Sequence, residues 1–212
     1  PFNFPGGTLS VFAGVAGAGT FREAIQVGGD NVIDGGNGVD RVTYSASGAL
    51  TLNLVDASSV SVLGTSAGVG NDLLLNVERI DLGEGDDVFQ GFVAGYTLDG
   101  KGGSDTLSLN AGPSATNGDA YIALAPVSDL TAGTAKVGAG TMSLFGIENV
   151  SAGSGNDTLI GNAGDNLLNG GGGVDLADYS GLSASQPVSV SLQNASISWS
   201  SLPFERHWAI LQ

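Results

Sequence analysis

The sequence predicts an all-β fold, a parallel β-roll or β-solenoid whose turns are rich in Gly and Asp, with almost no helix. Gly supplies 36 of the 212 residues, about one in six, against roughly one in fourteen in an ordinary domain. A nine-residue pattern recurs along the chain, which is typical of solenoids. No stretch longer than about ten residues keeps the 3.6-residue period of an amphipathic helix. These observations favour short strands joined by Gly-rich turns.

The nine-residue pattern has Gly at position four, Asp or Asn at position six and an apolar residue at position eight, as in Gly155, Asp157 and Leu159. We expect position eight to point into a thin core, because it alternates with polar neighbours. The blocks are imperfect and fall into four clusters. They begin at Gln26, Gly35, Ala67, Leu82, Gly91, Gly100, Ala152, Gly161 and Gly170.

Longer repeats overlie the nonapeptides. Val77-Glu-Arg-Ile precedes a Gly-Asp-Asp turn, just as Ile147-Glu-Asn-Val precedes a Gly-Asn-Asp turn further along the chain. We call this match, of 77–80 to 147–150, the long repeat. A second match relates residues 38–45 to residues 173–180. The chain is therefore built from divergent copies of one unit. Between the blocks, alternating apolar residues predict strands at 50–54, 60–63, 121–125 and 188–192.

We expect three regions along the chain. Residues 1–25 form an N-terminal capping or linking segment, in which 21–25 is either a short helical turn or a capping strand. Residues 26–195 hold the divergent repeats, and 196–212 form a C-terminal cap or a non-repeat tail. A solenoid needs cover on its open edges. The weaker alternative for the tail is a carbohydrate contact through Trp199 and Trp208.

Composition excludes several classes of protein. Lys and Arg number 6 against 21 Asp and Glu, for a net charge of -15, which argues against nucleic-acid binding. The chain has no Cys and a single His, His207, so disulfide, thiolate and multi-histidine zinc sites are excluded. No apolar run reaches the ~18 residues of a membrane span. The segment from Gly95 to Lys101 mimics a phosphate loop, but Gly102 stands where Ser or Thr would hold Mg²⁺, so we expect no nucleotide.

The repeat spacing brings carboxylates close enough to share a cation. Two nonapeptides return the chain to the same edge of a roll one strand further on, about 4.8 Å away. Calcium–oxygen distances are about 2.3–2.6 Å, so one Ca²⁺ fits between two such carboxylates. The turn glycines leave backbone carbonyls free to point at the ion. Asp87 with Asp105, and Asp157 with Asp175, have this spacing.

The remaining blocks give weaker candidates. Two nonapeptides after Asp40 and Asp72 come Ser58 and Gln90, which are poor partners for a shared cation. Asn31 occupies position six of the first block. The alternative for all of these residues is a plain turn-forming role, because Asp and Asn suit turns anyway.

Glutamates add a further possibility. Glu148 precedes Asn166 by two nonapeptides, and the two side chains are a plausible pair of oxygen ligands. Glu23, Glu78 and Glu148 each precede a cluster of blocks, and they are either ligands or carboxylates at the ends of strands. The predicted metal ligands are Asp87, Asp105, Asp157, Asp175, Asp40, Asn31, Asp72, Asn166 and Glu148, and no catalytic residue is predicted.

One known family resembles these blocks. The stretch Gly35-Gly-Asn-Gly-Val-Asp-Arg-Val-Thr is similar to the RTX (repeat-in-toxin, haemolysin-type) nonapeptide Gly-Gly-x-Gly-x-Asp-x-apolar-x. The blocks from Ala152 onward resemble the same family, and 44–56 and 179–193 resemble linking strands in its large bacterial members. The resemblance implies a parallel β-roll with Ca²⁺ in its turns, type I export from a bacterium and an extracellular or cell-surface location. It implies no single activity, because the module accompanies toxins, proteases, lipases, epimerases, adhesins and surface-layer proteins.

The sequence therefore predicts a non-catalytic, calcium-dependent folding segment of a larger secreted bacterial protein, with a structural or surface-assembly role. Three alternatives remain: an accessory β-roll module of an extracellular enzyme such as a polysaccharide epimerase, lyase or lipase; a β-helical enzyme with its own site; and a calcium-dependent ice-binding or adhesin segment. Position seven shows no uniform Thr column, which argues against ice binding. Calcium ions are the expected partner, with self-association or a cell-surface polysaccharide as further candidates.

Overall fold

The computed structural model describes residues 10–12, 22–25, 29–64, 69–110, 118–126, 131–181, 189–192 and 208–211. Twenty strands and no helix occur in this part of the chain, as the absence of a helical period predicts. Nothing in these described ranges is a helix long and apolar enough to cross a membrane. The all-β prediction is confirmed.

The strands are short, and three residues is the commonest length. In the first half of the chain they are β1 (Ser10–Phe12), β2 (Arg22–Ile25), β3 (Val32–Asp34), β4 (Arg41–Tyr44), β5 (Thr51–Asp56), β6 (Ser59–Gly64), β7 (Gly70–Leu75), β8 (Arg79–Asp81), β9 (Val88–Gln90) and β10 (Thr97–Asp99). In the second half they are β11 (Thr106–Ser108), β12 (Ala120–Ala123), β13 (Gly133–Val137), β14 (Gly140–Phe145), β15 (Asn149–Ser151), β16 (Thr158–Ile160), β17 (Leu167–Asn169), β18 (Leu176–Asp178), β19 (Ser189–Leu192) and β20 (Trp208–Leu211).

Two nine-stranded sheets contain all of these strands except β19 and β20, which pair with each other in parallel. The first sheet runs β1-β3-β7-β6-β5-β9-β11-β15-β17, and the second runs β2-β4-β8-β10-β14-β13-β12-β16-β18. From β8 to β11 and again from β15 to β18, each successive strand joins the opposite sheet. This alternation is the topology of a β-roll, which confirms the predicted fold class.

The predicted return after two nonapeptides is present in the two clusters of three abutting blocks, those that begin at Leu82 and Ala152, whereas β3 in the block at Gln26 pairs with β7 of the first meander. Arg79 pairs with Thr97, Val88 with Thr106, Asn149 with Leu167, and Thr158 with Leu176, all in parallel. In each case the two partners are separated by the length of two nonapeptides. Two nonapeptides therefore make one coil of the roll.

Two insertions interrupt the parallel order, where the sequence predicted parallel strands throughout. β5, β6 and β7 form an antiparallel meander within the first sheet, and β12, β13 and β14 form another within the second. The expected strands at 50–54, 60–63 and 121–125 do exist. Their alternating pattern determines which side chains are buried, but it carries no information on strand direction. The strand expected at 188–192 is β19, which lies outside both sheets.

The two meanders occupy equivalent places on opposite sheets. The Leu50 amide donates to Asp87 Oδ1 over 2.6 Å, and the Ala120 amide donates to Asp157 Oδ1 over 2.7 Å. Both partners of the second contact are shifted from those of the first by the same number of residues that separates position 77 from position 147 in the long repeat. Four single strands, β8 to β11, separate the meanders, so the long repeat is a structural repeat as well.

The core lies between the two sheets. Buried apolar side chains from both sheets form one continuous cluster, in which each fully buried Leu or Ile contributes roughly 1.5–3 kcal/mol. Leu168 is only partly buried and Ala177 is exposed, because β17 and β18 are the last strands of their sheets. The other position-eight residues are buried as predicted: Ile33, Val42, Leu74, Phe89, Leu98, Leu107 and Leu159.

Turns from successive coils stack in close backbone contact. Gly103, at position four of its block, has a φ of 118° and lies against the carbonyl oxygen of Gly85, the position-four residue of the preceding coil. Gly173 has a φ of 116° and lies in the same way against Gly155. A side chain at either position would strain the backbone and overlap the turn below. This close approach explains Gly at position four.

A charged cluster ties together three strands of the second sheet. The carboxylate of Asp81, which is fully buried, contacts Arg41 on β4, lies 2.8 Å from Arg79 Nε on its own strand β8, and lies 3.3 Å from Lys101 Nζ just after β10. Burial alone would raise the pKa of Asp81, but the hydrogen bond from Arg41 and the charges of Arg79 and Lys101 outweigh it and lower that pKa. The cluster holds adjacent coils together without a metal ion.

The predicted segment boundaries fall mostly outside the described residues. In the N-terminal segment, 22–25 form the strand β2, which pairs in parallel with β4. Residues 22–25 are therefore a strand and not a helical turn, while the capping role of the segment stays a prediction. Of the predicted tail 196–212, only the backbone of β20 belongs to the described part, and Trp199 and His207 lie outside it.

Candidate metal centre

Acidic side chains line the two edges where the turns meet the sheets. Asp87 immediately precedes β9 and Asp105 immediately precedes β11, while Asp157 and Asp175 precede β16 and β18. The Gly-rich turn reverses the chain, so the short side chain at position six points back towards the stacked turns. These carboxylates are therefore fixed by the turns themselves and not by a separate loop.

Asp87 and Asp105 are adjacent, as the sequence predicted. The backbone amide of Asp87 donates to Asp105 Oδ1 over 2.8 Å, and both residues are 1 % exposed. Asp87 Oδ1 in turn accepts the amide of Leu50 on the coil before it. Each carboxylate thus uses one oxygen to bind the amide of the preceding coil.

Asp157 and Asp175 form the same arrangement. The amide of Asp157 donates to Asp175 Oδ1 over 2.9 Å, and Asp157 Oδ1 accepts the amide of Ala120. Asp157 is buried, whereas Asp175 on the outermost coil is half-buried. We call this series of bonds, each from a backbone amide to a carboxylate on the next strand, the carboxylate ladder.

The ladder leaves buried carboxylate oxygens unused. Asp87 Oδ2, Asp105 Oδ2 and Asp157 Oδ2 are buried without a hydrogen-bond partner in the described structure. An unpaired buried carboxylate oxygen costs several kcal/mol unless a cation or a proton compensates it. The residues present therefore fit a cation. No three Asp, Glu or His side chains of the described residues converge on one point, so an ion held here takes its other ligands from backbone carbonyls.

Electrostatics point the same way. Burial, reinforced by the charges of Asp87 and Glu148, raises the pKa of Asp105 to about 7. Burial also raises the pKa of Asp87, and burial followed by the charge of Asp175 raises that of Asp157. Burial and the neighbouring carboxylates thus make the ionised forms of these groups less favourable in the metal-free turns, and a divalent cation would supply the missing positive charge.

Asp40 has a different neighbour from the one that sequence spacing gave. Its amide donates to Glu78 Oε2 over 2.9 Å, and the next strand in register with β4 is β8, not a strand at Ser58. The spacing of two nonapeptides does not hold here because the first meander inserts residues between these two coils, so that Arg41 pairs with Arg79, and the metal role of Asp40 stays a prediction. Ser58 instead lies beside β6 of that meander.

Asp72 has Asn31 as its neighbour and not Gln90. Asp72 Oδ1 accepts the amide of Asn31 over 3.0 Å and its side-chain amide over 2.7 Å, while Oδ2 accepts the Tyr44 hydroxyl over 3.0 Å. Burial, followed by the charge of Asp72 and this hydrogen bond, raises the pKa of Tyr44 well above its ordinary value. Both oxygens of Asp72 are engaged, so a metal role for Asn31 and Asp72 stays a prediction that these contacts do not favour.

Glu148 and Asn166 lie on neighbouring strands, but their side-chain oxygens do not meet. Asn166 Nδ2 donates to the backbone oxygen of Glu148 over 3.1 Å, and Asn166 Oδ1 accepts the amide of Asn162. The Glu148 carboxylate faces the other way, where its Oε2 accepts the amide of Asp105 over 2.9 Å. The role of Asn166 as a metal ligand stays a prediction.

Sequence reasoning did not identify the contacts of Asp105 with Glu148 and of Asp40 with Glu78. The long repeat, which relates Glu78 to Glu148, was the available signal, because repeated units repeat their contacts. The backbone of Glu23, the third glutamate that precedes a cluster of blocks, is in register with Val42.

Comparison with known proteins agrees with this geometry. The family described as the RTX calcium-binding nonapeptide repeat (4 copies) matches residues 28–46 and 144–177. These matches cover about a quarter of the chain and include Asp40, Asp157 and Asp175. Among curated proteins, none matches the chain. The repeats bind calcium ions and are a structural module without catalytic activity of their own.

Proposed function

Because the chain contains RTX calcium-binding nonapeptide repeats, we propose that it is a calcium-dependent folding segment of a larger secreted bacterial protein. Its role is structural or serves assembly at the cell surface. The observation that carries this proposal is the set of buried oxygens, Asp87 Oδ2, Asp105 Oδ2 and Asp157 Oδ2, that have no partner in the described structure. Repeats of this family are typical of secreted bacterial proteins, and we place the chain outside the cell or on its surface.

Charge repulsion supports a folding switch. The chain carries a net charge of -15, and the ladder stacks carboxylates on consecutive coils. Without a counterion the stacked groups repel one another, so the metal-free chain is expected to be poorly folded. Calcium supplies positive charge to the turns, and its binding free energy then becomes folding free energy. Asp87 with Asp105, and Asp157 with Asp175, are the residues that would hold it.

A chain that folds only with calcium could be exported in an unfolded state. Calcium is scarce inside a cell, so the acidic chain would stay extended there and pass through a secretion channel. Outside the cell, where calcium is abundant, the turns would be neutralised and the coils would form. The apolar core and the Asp81 cluster would then add stability that does not depend on the ion.

A calcium titration followed by far-UV circular dichroism tests the proposal. We expect a cooperative coil-to-β transition that Ca²⁺ induces, Mg²⁺ does not, and EGTA reverses. The double variant Asp157→Ala/Asp175→Ala should shift the midpoint to higher calcium. A β spectrum that EGTA leaves unchanged would show that the core alone holds the roll, and the metal assignment would be withdrawn.

The structural role is tested separately. Sedimentation velocity with and without calcium measures whether the folded chain associates with itself. Ordered assemblies that form only with calcium support surface assembly. A monomer under all conditions would remove self-association from the proposal and leave a structural segment.

A further inference from the structure

Two glutamates that are not at position six of any nonapeptide block occupy the place of a nonapeptide Asp in the carboxylate ladder. The amide of Asp105 donates to Glu148 Oε2 over 2.9 Å, and the amide of Asp40 donates to Glu78 Oε2 over 2.9 Å. The equivalent bond between two nonapeptides, from Asp87 to Asp105, is 2.8 Å long. The glutamates therefore continue the ladder with the same bond.

The turns around the two glutamates also match. Glu148 and Asn149 both donate their amides to the Asp105 carbonyl, over 3.2 and 2.9 Å. Glu78 and Arg79 donate to the Asp40 carbonyl over the same two distances. The long repeat relates the two glutamates to each other, and Asp40 and Asp105 both immediately precede the strand before a meander, β4 and β11. The two glutamate turns are therefore equivalent parts of the repeated unit.

The two glutamate turns are also shorter than a nonapeptide turn. A nonapeptide turn such as 82–87, between β8 and β9, has six residues, but the turns after β7 and β14 have three, 76–78 and 146–148. Asn76 and Gly146 reverse the chain in the left-handed region, with φ of 51° and 53°. The three-residue turns thus place a glutamate, instead of the Asp of a six-residue turn, at the amide of the neighbouring Asp.

A buried oxygen without a partner points to a ligand at one of these sites. Asp105 is 1 % exposed, and its Oδ2 has no hydrogen-bond partner in the described structure. Its acidic neighbours in the ladder are Asp87 on one side and Glu148 on the other. Acidic residues on both neighbouring strands thus flank an uncompensated oxygen.

We infer that Glu148 and Glu78 are calcium ligands that complete hybrid sites, each formed by one nonapeptide turn and one three-residue glutamate turn. The first hybrid site joins Asp105 to Glu148, and the second joins Asp40 to Glu78. Each links the nonapeptide coil before a meander to the coil that follows it. Calcium at these sites would therefore hold the meanders in register. The inference rests on the proposed calcium-binding function.

Calorimetric calcium titration of the full chain tests the inference with Glu148→Gln and Glu78→Gln. Glutamine keeps the oxygen that accepts the Asp105 or Asp40 amide and removes the charge that a cation requires. We expect each variant to bind one ion fewer, or to bind one ion about tenfold or more weakly. Glu84→Gln is the matched control, since Glu84 is an exposed glutamate within a nonapeptide turn, and it should titrate like the unmodified chain.

The outcomes separate this inference from the function it rests on. An unmodified chain that binds no calcium would overturn both. If the Asp157→Ala/Asp175→Ala variant loses ions while both Gln variants bind like the unmodified chain, the hybrid sites alone are wrong. Far-UV circular dichroism at saturating calcium confirms that each variant reaches the folded state. Should Glu148→Gln fail to do so, Glu78→Gln decides, because its contacts are the same.

Discussion

Replacing Asp105 with Asn should change the stability of the metal-free and calcium-bound chains in opposite directions. Burial, with the charges of Asp87 and Glu148, raises the pKa of Asp105 from 3.8 to about 7. One pKa unit is worth about 1.4 kcal/mol, so ionising this carboxylate in the metal-free fold costs at most about 4 kcal/mol relative to the unfolded chain. Solvent screening at the edge of the sheet reduces this cost to roughly 2 kcal/mol. Asn is nearly isosteric and can still accept the Asp87 amide.

The sign of the pH dependence follows from the raised pKa. The folded, metal-free chain binds a proton at Asp105 more tightly than the unfolded chain does, so acid favours the fold. Stability should fall as the pH rises from about 4 to about 7, between the unfolded and folded pKa values. An Asn side chain cannot ionise, so this part of the pH dependence should disappear in the Asp105→Asn variant.

Far-UV circular dichroism in EGTA at pH 5 and pH 8, with a stabilising osmolyte added to populate the metal-free fold, measures the effect as the folded fraction. At pH 8 the variant should show a clearly larger folded fraction than the unmodified chain, and at pH 5 the difference should shrink. With calcium the order should reverse, because a charged ligand is lost. Asp165→Asn, at an exposed carboxylate in another nonapeptide turn, is the control. Equal or lower stability of the Asp105→Asn variant in EGTA at pH 8 would refute the reasoning.

Three further predictions concern the calcium-saturated fold, each measured by thermal unfolding. Gly103→Ala should destabilise it more than Gly95→Ala, because Gly95 has a φ of 89° but open space around it, whereas Gly103 also lies against Gly85; equal losses would mean that backbone strain alone matters. Asp81→Asn should cost about 3 kcal/mol, because Arg41 loses the carboxylate of Asp81 and Arg79 and Lys101 must share that of Asp99, and the lowered pKa of Asp81 means that its contribution is lost only in strong acid. Leu107→Ala should cost about 2–5 kcal/mol without changing the number of calcium ions in a parallel calorimetric titration.

The sequence was sufficient to predict those features that repeat at the nonapeptide period. The burial of Phe89 and Leu107 and the adjacency of Asp87 to Asp105 follow from local spacing, because each coil is built by the residues that lie nearest in sequence. The fold class, the core and the two best carboxylate pairs could therefore be predicted from the sequence. Whether calcium occupies those pairs stays a prediction.

The features that sequence did not predict depend on the meanders. Asp40 contacts Glu78 and not Ser58 because the first meander separates two coils along the chain while leaving them adjacent in space. The alternation in 50–54 predicts a strand with one buried face, but strand direction depends on pairing with residues elsewhere. The engagement of both Asp72 oxygens by Asn31 and Tyr44 likewise depends on a contact across the first meander, which no local pattern encodes.

Because the two meanders lie on opposite sheets, their relative placement depends on whether the number of strands between them is even or odd. Each nonapeptide advances the chain by half a coil, and four single strands lie between the meanders. Losing or gaining one nonapeptide there would move the second meander, and everything after it, to the other face of the molecule. Losing or gaining two would only change the distance between the meanders along the roll axis. A change by an even number of nonapeptides thus moves the second meander along the roll axis, whereas a change by an odd number moves it to the opposite sheet. Any surface formed by both meanders together would be kept only after a change by an even number.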